Sequence, residues 1–521
     1  MADIATNISL NSSDSSPKNL NNPNKLLQIL YTILPIKLDE LPRFLFITLL
    51  MFCILFIQNL IRAQKDSIVI PMIGAETTTF LKVWGVMPTA FIITLIYVKL
   101  VNIMRSDKIF YLIMSCFICF FALFGFYIFP NHEALHLSKE HAQSLVSQYP
   151  NLKWFILILA NWSFSLFYII AELWPNAVFG LLFWQFVNNI TSIEQSKRFY
   201  PLFGLLGQTG LIIAGYFLER LDPIGLILKS TFDLKAPQTV ISVGIVLSVV
   251  VILGIIALFS FWVINQFLLD QAARDSLKFQ VKKNHMSMKD SISMILGSRY
   301  IRLIAILLIC YGIAINLVEG PWKDKAANIY KTTTEFSAFQ GSYLKFTGIF
   351  TILFVILGSN IVRKFGWFSA AIITPIMVLS TGLGFFIISN FDTVGTFMMI
   401  SFGLTDPIML AIIVGAIQNV LSKSSKYTLF DSTKEMSYVP LDPELKTKGK
   451  AAADVIGTKL GKSASAFLQS MIFMIIPAAT YKSISEYLMV VFTAICLIWI
   501  WAVIQLSKEY NAAVLAKNNE K

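Results

Sequence analysis

Residues 422–463 read SKSSKYTLFDSTKEMSYVPLDPELKTKGKAAADVIGTKLGKS. The stretch carries eight lysines (Lys423, Lys426, Lys434, Lys446, Lys448, Lys450, Lys459 and Lys462) against five carboxylates, in a chain that is otherwise mostly apolar. From Lys450 onward it is rich in Ala and Gly and runs directly into FLQSMIFMIIPAA, so its last lysines belong at or inside a membrane-spanning helix. A lysine at bilayer depth costs about 2.5–3.5 kcal/mol on insertion scales and usually faces a polar pathway. The stretch therefore predicts an anion site within a multi-pass membrane protein.

The remaining sequence agrees. Of 521 residues 56% are hydrophobic and only 14% charged, against about 25% charged in an ordinary soluble domain. Windows of about 20 apolar residues, enough to cross a hydrocarbon core, recur along most of the length. They predict spans at 42–62, 80–101, 109–129, 154–188, 200–219, 239–268, 301–319, 343–362, 368–389, 406–421, 452–478 and 484–506. The expected fold is thus all-α, with twelve transmembrane helices in two six-helix halves (39–269 and 299–508). A polar tail at 1–38 without signal-peptide character precedes them, a basic linker at 270–298 joins them, and a tail at 509–521 follows. Cations gather in the linker, at Arg105/Lys108, Lys197/Arg198 and Arg363/Lys364, and in the 422–450 loop, which by the positive-inside rule puts both termini in the cytoplasm.

Six helices, a basic linker and six more is the plan of major-facilitator-like carriers, whose site lies at midplane between halves. A weak internal repeat fits it: Asn59-Leu60-Ile61-Arg62-Ala63-Gln64-Lys65-Asp66 ends the first span, and Asn316-Leu317-Val318-Glu319-Gly320-Pro321-Trp322-Lys323-Asp324 ends the seventh. Charges within or bordering spans define what the pathway accepts. They are Lys82, Glu172, Glu319, Lys323, Lys450 and Lys462, and Pro175 is expected to loosen the helix that carries Glu172 by removing a backbone hydrogen bond.

Two motifs mislead. His132-Glu133-Ala134-Leu135-His136 has the spacing of a zinc-protease helix, but it lies in a short polar loop without a cleft. Gly461-Lys462-Ser463 has only three residues between Gly457 and Gly461, where a phosphate-binding loop needs four, and no strand precedes it. Cys116-x-x-Cys119 lacks a second pair. No metal, cofactor or catalytic residue is expected; the chain reads as a transporter rather than an enzyme.

A more specific resemblance rests on Ile309-Cys310-Tyr311-Gly312-Ile313, Arg363-Lys364-Phe365-Gly366-Trp367, Val414-Gly415-Ala416-Ile417-Gln418-Asn419, Lys423-Ser424-Ser425-Lys426-Tyr427, Phe430-Asp431-Ser432-Thr433-Lys434-Glu435-Met436 and Lys448-Gly449-Lys450-Ala451-Ala452. With these motifs the chain resembles, over about 40–508, the nucleotide transporter (ATP/ADP translocase) family of plastids and obligate intracellular bacteria such as chlamydiae and rickettsiae. The resemblance implies nucleotide transport and a functional set of two lysines and two glutamates, Lys82, Glu172, Glu319 and Lys450. The chain departs from the family pattern at Ala63-Gln64, Pro175-Asn176, Gly320-Pro321 and Ala464-Ser465, which predicts a paralogue with another nucleotide preference or coupling.

On this reading Lys82 and Lys450, with Lys462, Arg62, Lys65 or Lys323, clamp the phosphates, and a Trp or Phe stacks on the base. A glutamate buried among apolar residues, Glu172 first and Glu319 second, would accept a coupled proton, so nucleoside triphosphate import by proton symport is preferred over counter-exchange. A strict ATP/ADP or NAD/ADP antiporter and a carrier of another organic anion are the alternatives. Expected partners are the nucleotide and the lipid bilayer, with no nucleic acid and no obligate protein partner, in a bacterial inner membrane.

Overall fold

A computed structural model describes residues 36–37, 39–269, 288–401, 403, 406–442 and 445–519. Residues 1–35 and 38 of the expected tail and 270–287 of the expected linker lie outside these. Among the described residues the protein is helical throughout, without strands. In hydrocarbon each backbone N–H must be satisfied within its own segment, which leaves helices as the only way to lay this apolar sequence across a bilayer without closing a barrel.

Among the described residues eleven helices are long and apolar enough to cross: α1 Leu41–Met72, α2 Thr77–Ile103, α3 Ser106–Ile128, α4 Trp162–Ile190, α5 Glu194–Glu219, α6 Gln238–Leu268, α7 Arg299–Ile329, α8 Thr333–Gly358, α9 Asn360–Asn390, α10 Pro407–Ser437 and α12 Tyr481–Ala516. The remaining expected span, 452–478, is present as a helix, α11 Lys450–Ile475. Only its second half, Ser463–Ile475, is apolar, because Lys450, Asp454, Lys459 and Lys462 occupy the first. Helix α12 continues to Asn519, so residues 509–519 extend a helix rather than form the expected separate tail.

Local sequence fixes the ends. Capping boxes open α5 (Ser192 with Gln195) and α8 (Thr332 with Glu335), each satisfying two orphan backbone groups. Asp406 accepts from Ile408 N at 2.8 Å ahead of Pro407 and so caps α10. Helices α8 and α9 follow each other in one run, Thr333–Asn390, kinked at Gly366 in the first turns of α9, whose φ of 78° suits a residue without Cβ. In α4 the effect expected of Pro175 is observed: the α-helix passes into a π-helix over Pro175–Phe183. The expected fourth run is also cut at Asn161, where a separate short helix Lys153–Ala160 ends.

Helix α1 runs ten residues past its predicted end at 62, and α7 ten past its predicted end at 319. Polarity suggested a helix end in both places. The polar residues instead find partners inside the protein, and the helices continue through them.

The buried apolar residues form two large clusters, one centred on α1, α3, α4 and α6, the other on α7 and α12. The second also takes in Ile70, Ala75, Phe80 and Trp154 from the first half of the chain. These four stand toward the end of α1 and mark the face on which the two halves close. We call it the far face, and the face where α1 begins the near face. Here α5 and α8 cross with almost no side chain between them: a Cβ on Gly215 would lie 2.6 Å from Gly341 O, and one on Gly341 2.7 Å from Gly215 O. Beside the crossing Lys345 Nζ donates to both Glu219 oxygens at 2.5 and 2.7 Å. On the near face Arg198 grips Glu40 at 2.6 and 2.8 Å and holds that carboxyl down at about 2.

Candidate functional site

The residues that stopped the sequence reading at 62 and 319 meet at the centre. Lys65 Nζ donates to Asp66 Oδ1 at 2.7 Å and lies 3.0 Å from Glu172 Oε1 on α4. Lys323 Nζ, from α7, donates to Asp66 Oδ2 at 2.7 Å and to Glu319 Oε1 at 2.8 Å. Lys423 of α10 reaches the same Glu319 oxygen at 3.6 Å. Lys82 Nζ donates to Asn316 Oδ1 at 3.1 Å, tying α2 to α7. The internal repeat thus has a structural expression: Lys65 and Lys323, corresponding residues of the two halves, share one carboxylate.

Rings complete the cluster. Lys65 stands 4.0 Å from the centroid of Tyr168, and Lys423 4.8 Å from that of Tyr343, positions at which the ring face attracts a cation. Three of the charged positions adjoin π-helical turns: Lys82 lies within Leu81–Val86, Glu172 just before Pro175–Phe183, and Lys423 just before Lys426–Phe430. Such turns are uncommon and concentrate at functional sites, because the extra residue re-aims side chains.

A cavity of about 300 Å³ lies on the near-face side of this cluster, lined by Arg62, Asp66, Glu319, Lys323, Lys423 and Tyr427 at its charged end. It is within the range of small-molecule sites, roughly 300–1,000 Å³. Arg62 is solvent-exposed although it sits midway along α1, since the cavity opens around it, and it makes no ion pair among the described residues. Arg62, Lys65, Lys82, Lys323 and Lys423 against Asp66, Glu172 and Glu319 leave two uncompensated positive charges. A polyanion entering here meets a net positive charge.

Of the predicted site residues, Lys82, Glu172, Glu319, Lys323, Arg62 and Lys65 come together. Lys450 does not. Its Nζ donates to Glu435 Oε2 at 2.5 Å, and neighbouring Gly449 packs on Ile301, 18 residues and so about 27 Å along α7 from Glu319. Lys450 belongs to a separate near-face group with Lys434, Glu435 and Asp454. Lys462 is on α11, with its side chain outside the described residues. Sequence reasoning missed Asp66 and Lys423: the first was visible as the acidic end of the repeat, the second as the lysine two residues beyond the predicted tenth span.

The residues of the two misleading motifs are engaged in local bonds and packing. His136 Nε2 bonds Ser163 Oγ at 2.7 Å, His132 Nδ1 bonds Phe129 O at 2.7 Å, and burial beside His132 brings His136 down to about 4. No group of three His, Cys, Asp or Glu among the described residues could hold a metal. Gly461 serves helix packing: its Cβ would meet Ile309 O of α7 at 2.9 Å.

A multi-pass, all-helical, major-facilitator-like bundle with a charged centre between its halves defines a membrane transporter and not an enzyme. Among solved structures, a bacterial homologue of the iron transporter ferroportin in its inward-facing state superposes with a TM-score of 0.55 at 14% identity, covering 91% of this chain and all of that one, a likeness of fold alone. The sequence model described as TLC ATP/ADP transporter matches residues 20–510, and the chain belongs to that family. It is 64% identical over 502 residues to ADP,ATP carrier protein 4 of Rickettsia bellii (strain RML369-C), covering 96% of each chain. It is 47% identical over 492 residues to ADP,ATP carrier protein 3 of the same strain, covering 92% of this chain and 96% of that one.

Proposed function

We propose that this carrier exchanges nucleotides, ADP against ATP, by alternating access, with the phosphates held at the junction of the halves. The observation that carries the reading is the positively charged cluster at the closed end of the cavity, where Arg62, Lys323 and Lys423 line the wall. A nucleotide's phosphates would take Arg62 and compete for the lysines that Asp66 and Glu319 engage in the empty state. Charge-assisted bonds of this kind are about twice as strong as neutral ones. Two relatives bear the name ADP,ATP carrier, which supports exchange.

Symport loses its physical motive. It required Glu172 to be isolated among apolar residues, whereas the carboxylate stands 3.0 Å from Lys65 Nζ. An empty site with unneutralised cations resists crossing a desolvated state, since buried charges must be paired; substrate phosphates remove that obstacle, which is the condition for obligatory exchange. Two six-helix halves with α11 also spanning the membrane, residence in a bacterial inner membrane, and a cytoplasmic near face with both termini belong to the same proposal.

The test is uptake of labelled ATP into proteoliposomes containing the protein. Uptake is expected to require preloaded ADP and to ignore a protonophore. Uptake into empty vesicles driven by an imposed proton gradient would reject exchange.

A further inference from the structure

One stretch of the cavity wall is bare. On α5 the lining residues Tyr200, Gly204, Gly207 and Leu211 fall on one stripe at helical spacing, with Gly204 inside it. Gly204 is exposed, and a Cβ there would meet no atom within 4 Å. Backbone alone therefore faces open space at this point. A glycine within a helix costs about 0.5–1 kcal/mol relative to alanine, and no neighbour of Gly204 requires one. Gly207, one turn on, differs: its Cβ would come 3.1 Å from Leu55 of α1.

Rings flank the bare stretch. The Trp184 ring of α4 lies 5.1 Å from that of Tyr200, one turn before Gly204, and 5.9 Å from that of Phe179. All three rings are partly exposed and line the cavity. Leu55, which marks the level of Gly207, lines it too and stands seven residues from Arg62 along α1, so about 10 Å by helical rise. The flat, apolar end and the charged end are thus set apart along the cavity, as base and terminal phosphates are set apart by the ribose and α-phosphate of a nucleotide.

We infer that the base of the nucleotide lies over Gly204, against Trp184 and Tyr200, and is held by its faces. This rests on the nucleotide reading above. A planar ring can settle on helix backbone only where no Cβ stands up from it, and the exposed Gly204 supplies that place. Stacking on an aromatic side chain uses the π-face that every base has, and the loss of such a ring weakens binding measurably. None of these residues takes part in the ion cluster, so the base subsite and the phosphate clamp can be tested apart.

The experiment measures binding of ATP and of tripolyphosphate, which has neither base nor ribose, to the full-length protein in detergent. Gly204→Leu fills the place of the base, and the open space around a Cβ there lets the helix accept it. Trp184→Leu removes the ring. Each is expected to lower ATP affinity about tenfold, the effect of one lost stacked base, with tripolyphosphate affinity unchanged. Trp184→Phe, which keeps a ring, is expected to recover most of the loss. ATP affinity unchanged in either leucine variant, or tripolyphosphate affinity falling in step with it, would overturn the assignment while nucleotide carriage stands. If the wild type binds neither ligand, or tripolyphosphate alone, the nucleotide reading falls and the base subsite with it.

Discussion

Asp66 and Lys323 are joined across the two halves of the chain by a 2.7 Å ion pair, and the same carboxylate holds Lys65 at 2.7 Å. One carboxylate therefore bridges the corresponding lysines of the two halves while the site is empty. Removing one member of such a buried set costs about 3–5 kcal/mol, mostly from the charge left unmatched. Asp66→Asn is expected to lower the melting temperature of the nucleotide-free protein and to leave the nucleotide-bound protein closer to wild type, because phosphates restore the missing negative charge. Thermal unfolding with and without ATP checks this; an equal loss in both states would show that the pair is merely structural.

Lys423 and Lys450 separate binding from movement. Lys423→Gln is expected to raise the apparent KM for nucleotide about tenfold or more, as befits a cation lining the cavity. Lys450→Gln, about 27 Å distant, is expected to lower turnover with KM within about twofold, because its partner Glu435 is a near-face residue. Exchange kinetics of both variants decide, and a KM defect in Lys450→Gln would return that lysine to the phosphate clamp.

Glu219 and Lys345 lock the far face. Reversing one charge, Lys345→Glu, is expected to expose Ser337→Cys, a near-isosteric change at a buried position of α8, to an impermeant thiol reagent from that face. The double reversal with Glu219→Lys is expected to restore protection, which isolates the pair from its surroundings.

Glu76, in the turn between α1 and α2, accepts from Tyr481 N at 3.2 Å and closes α2 onto the start of α12. Burial pushes its carboxyl above the usual range, Lys153 opposes this, and Asp324 stands near. The closed state therefore binds a proton more tightly than an opened, solvated one, and acidification through the window just above the ordinary carboxylate range favours closure. Far-face thiol reactivity is expected to fall as pH falls there, and Glu76→Gln is expected to remove the dependence.

Orientation follows the cation distribution. A cysteine introduced within 274–289 is expected to react only from the cytoplasm and one within 132–141 only from outside. The opposite labelling would invert the topology.

Apolar windows placed the helices well because hydropathy needs no tertiary information. The ends of α1 and α7 were misjudged for the complementary reason. Lys65 and Lys323 look like residues seeking water until Glu172 is seen to meet the first from α4 and Asp66 the second from α1. Glu172 was legible as functional but not as paired. Lys450 carried the family motif, but its 27 Å separation from Glu319 along α7 depends on where α11 packs, which glycines such as Gly457 and Gly461 decide through close approach to α7.

The Gly215–Gly341 crossing bears on the speed of the cycle. Helices that interlock through large side chains must disengage ridges from grooves before they part, and that friction slows a rocking motion. Two backbones in near contact have nothing to disengage. When the far face parts, what is uncovered at the crossing is chiefly peptide, which water wets readily, so hydration rather than repacking sets the barrier at this point. A bulkier residue at either glycine would wedge the vestibule ajar, and the carrier would leak on one side before it turned on the other.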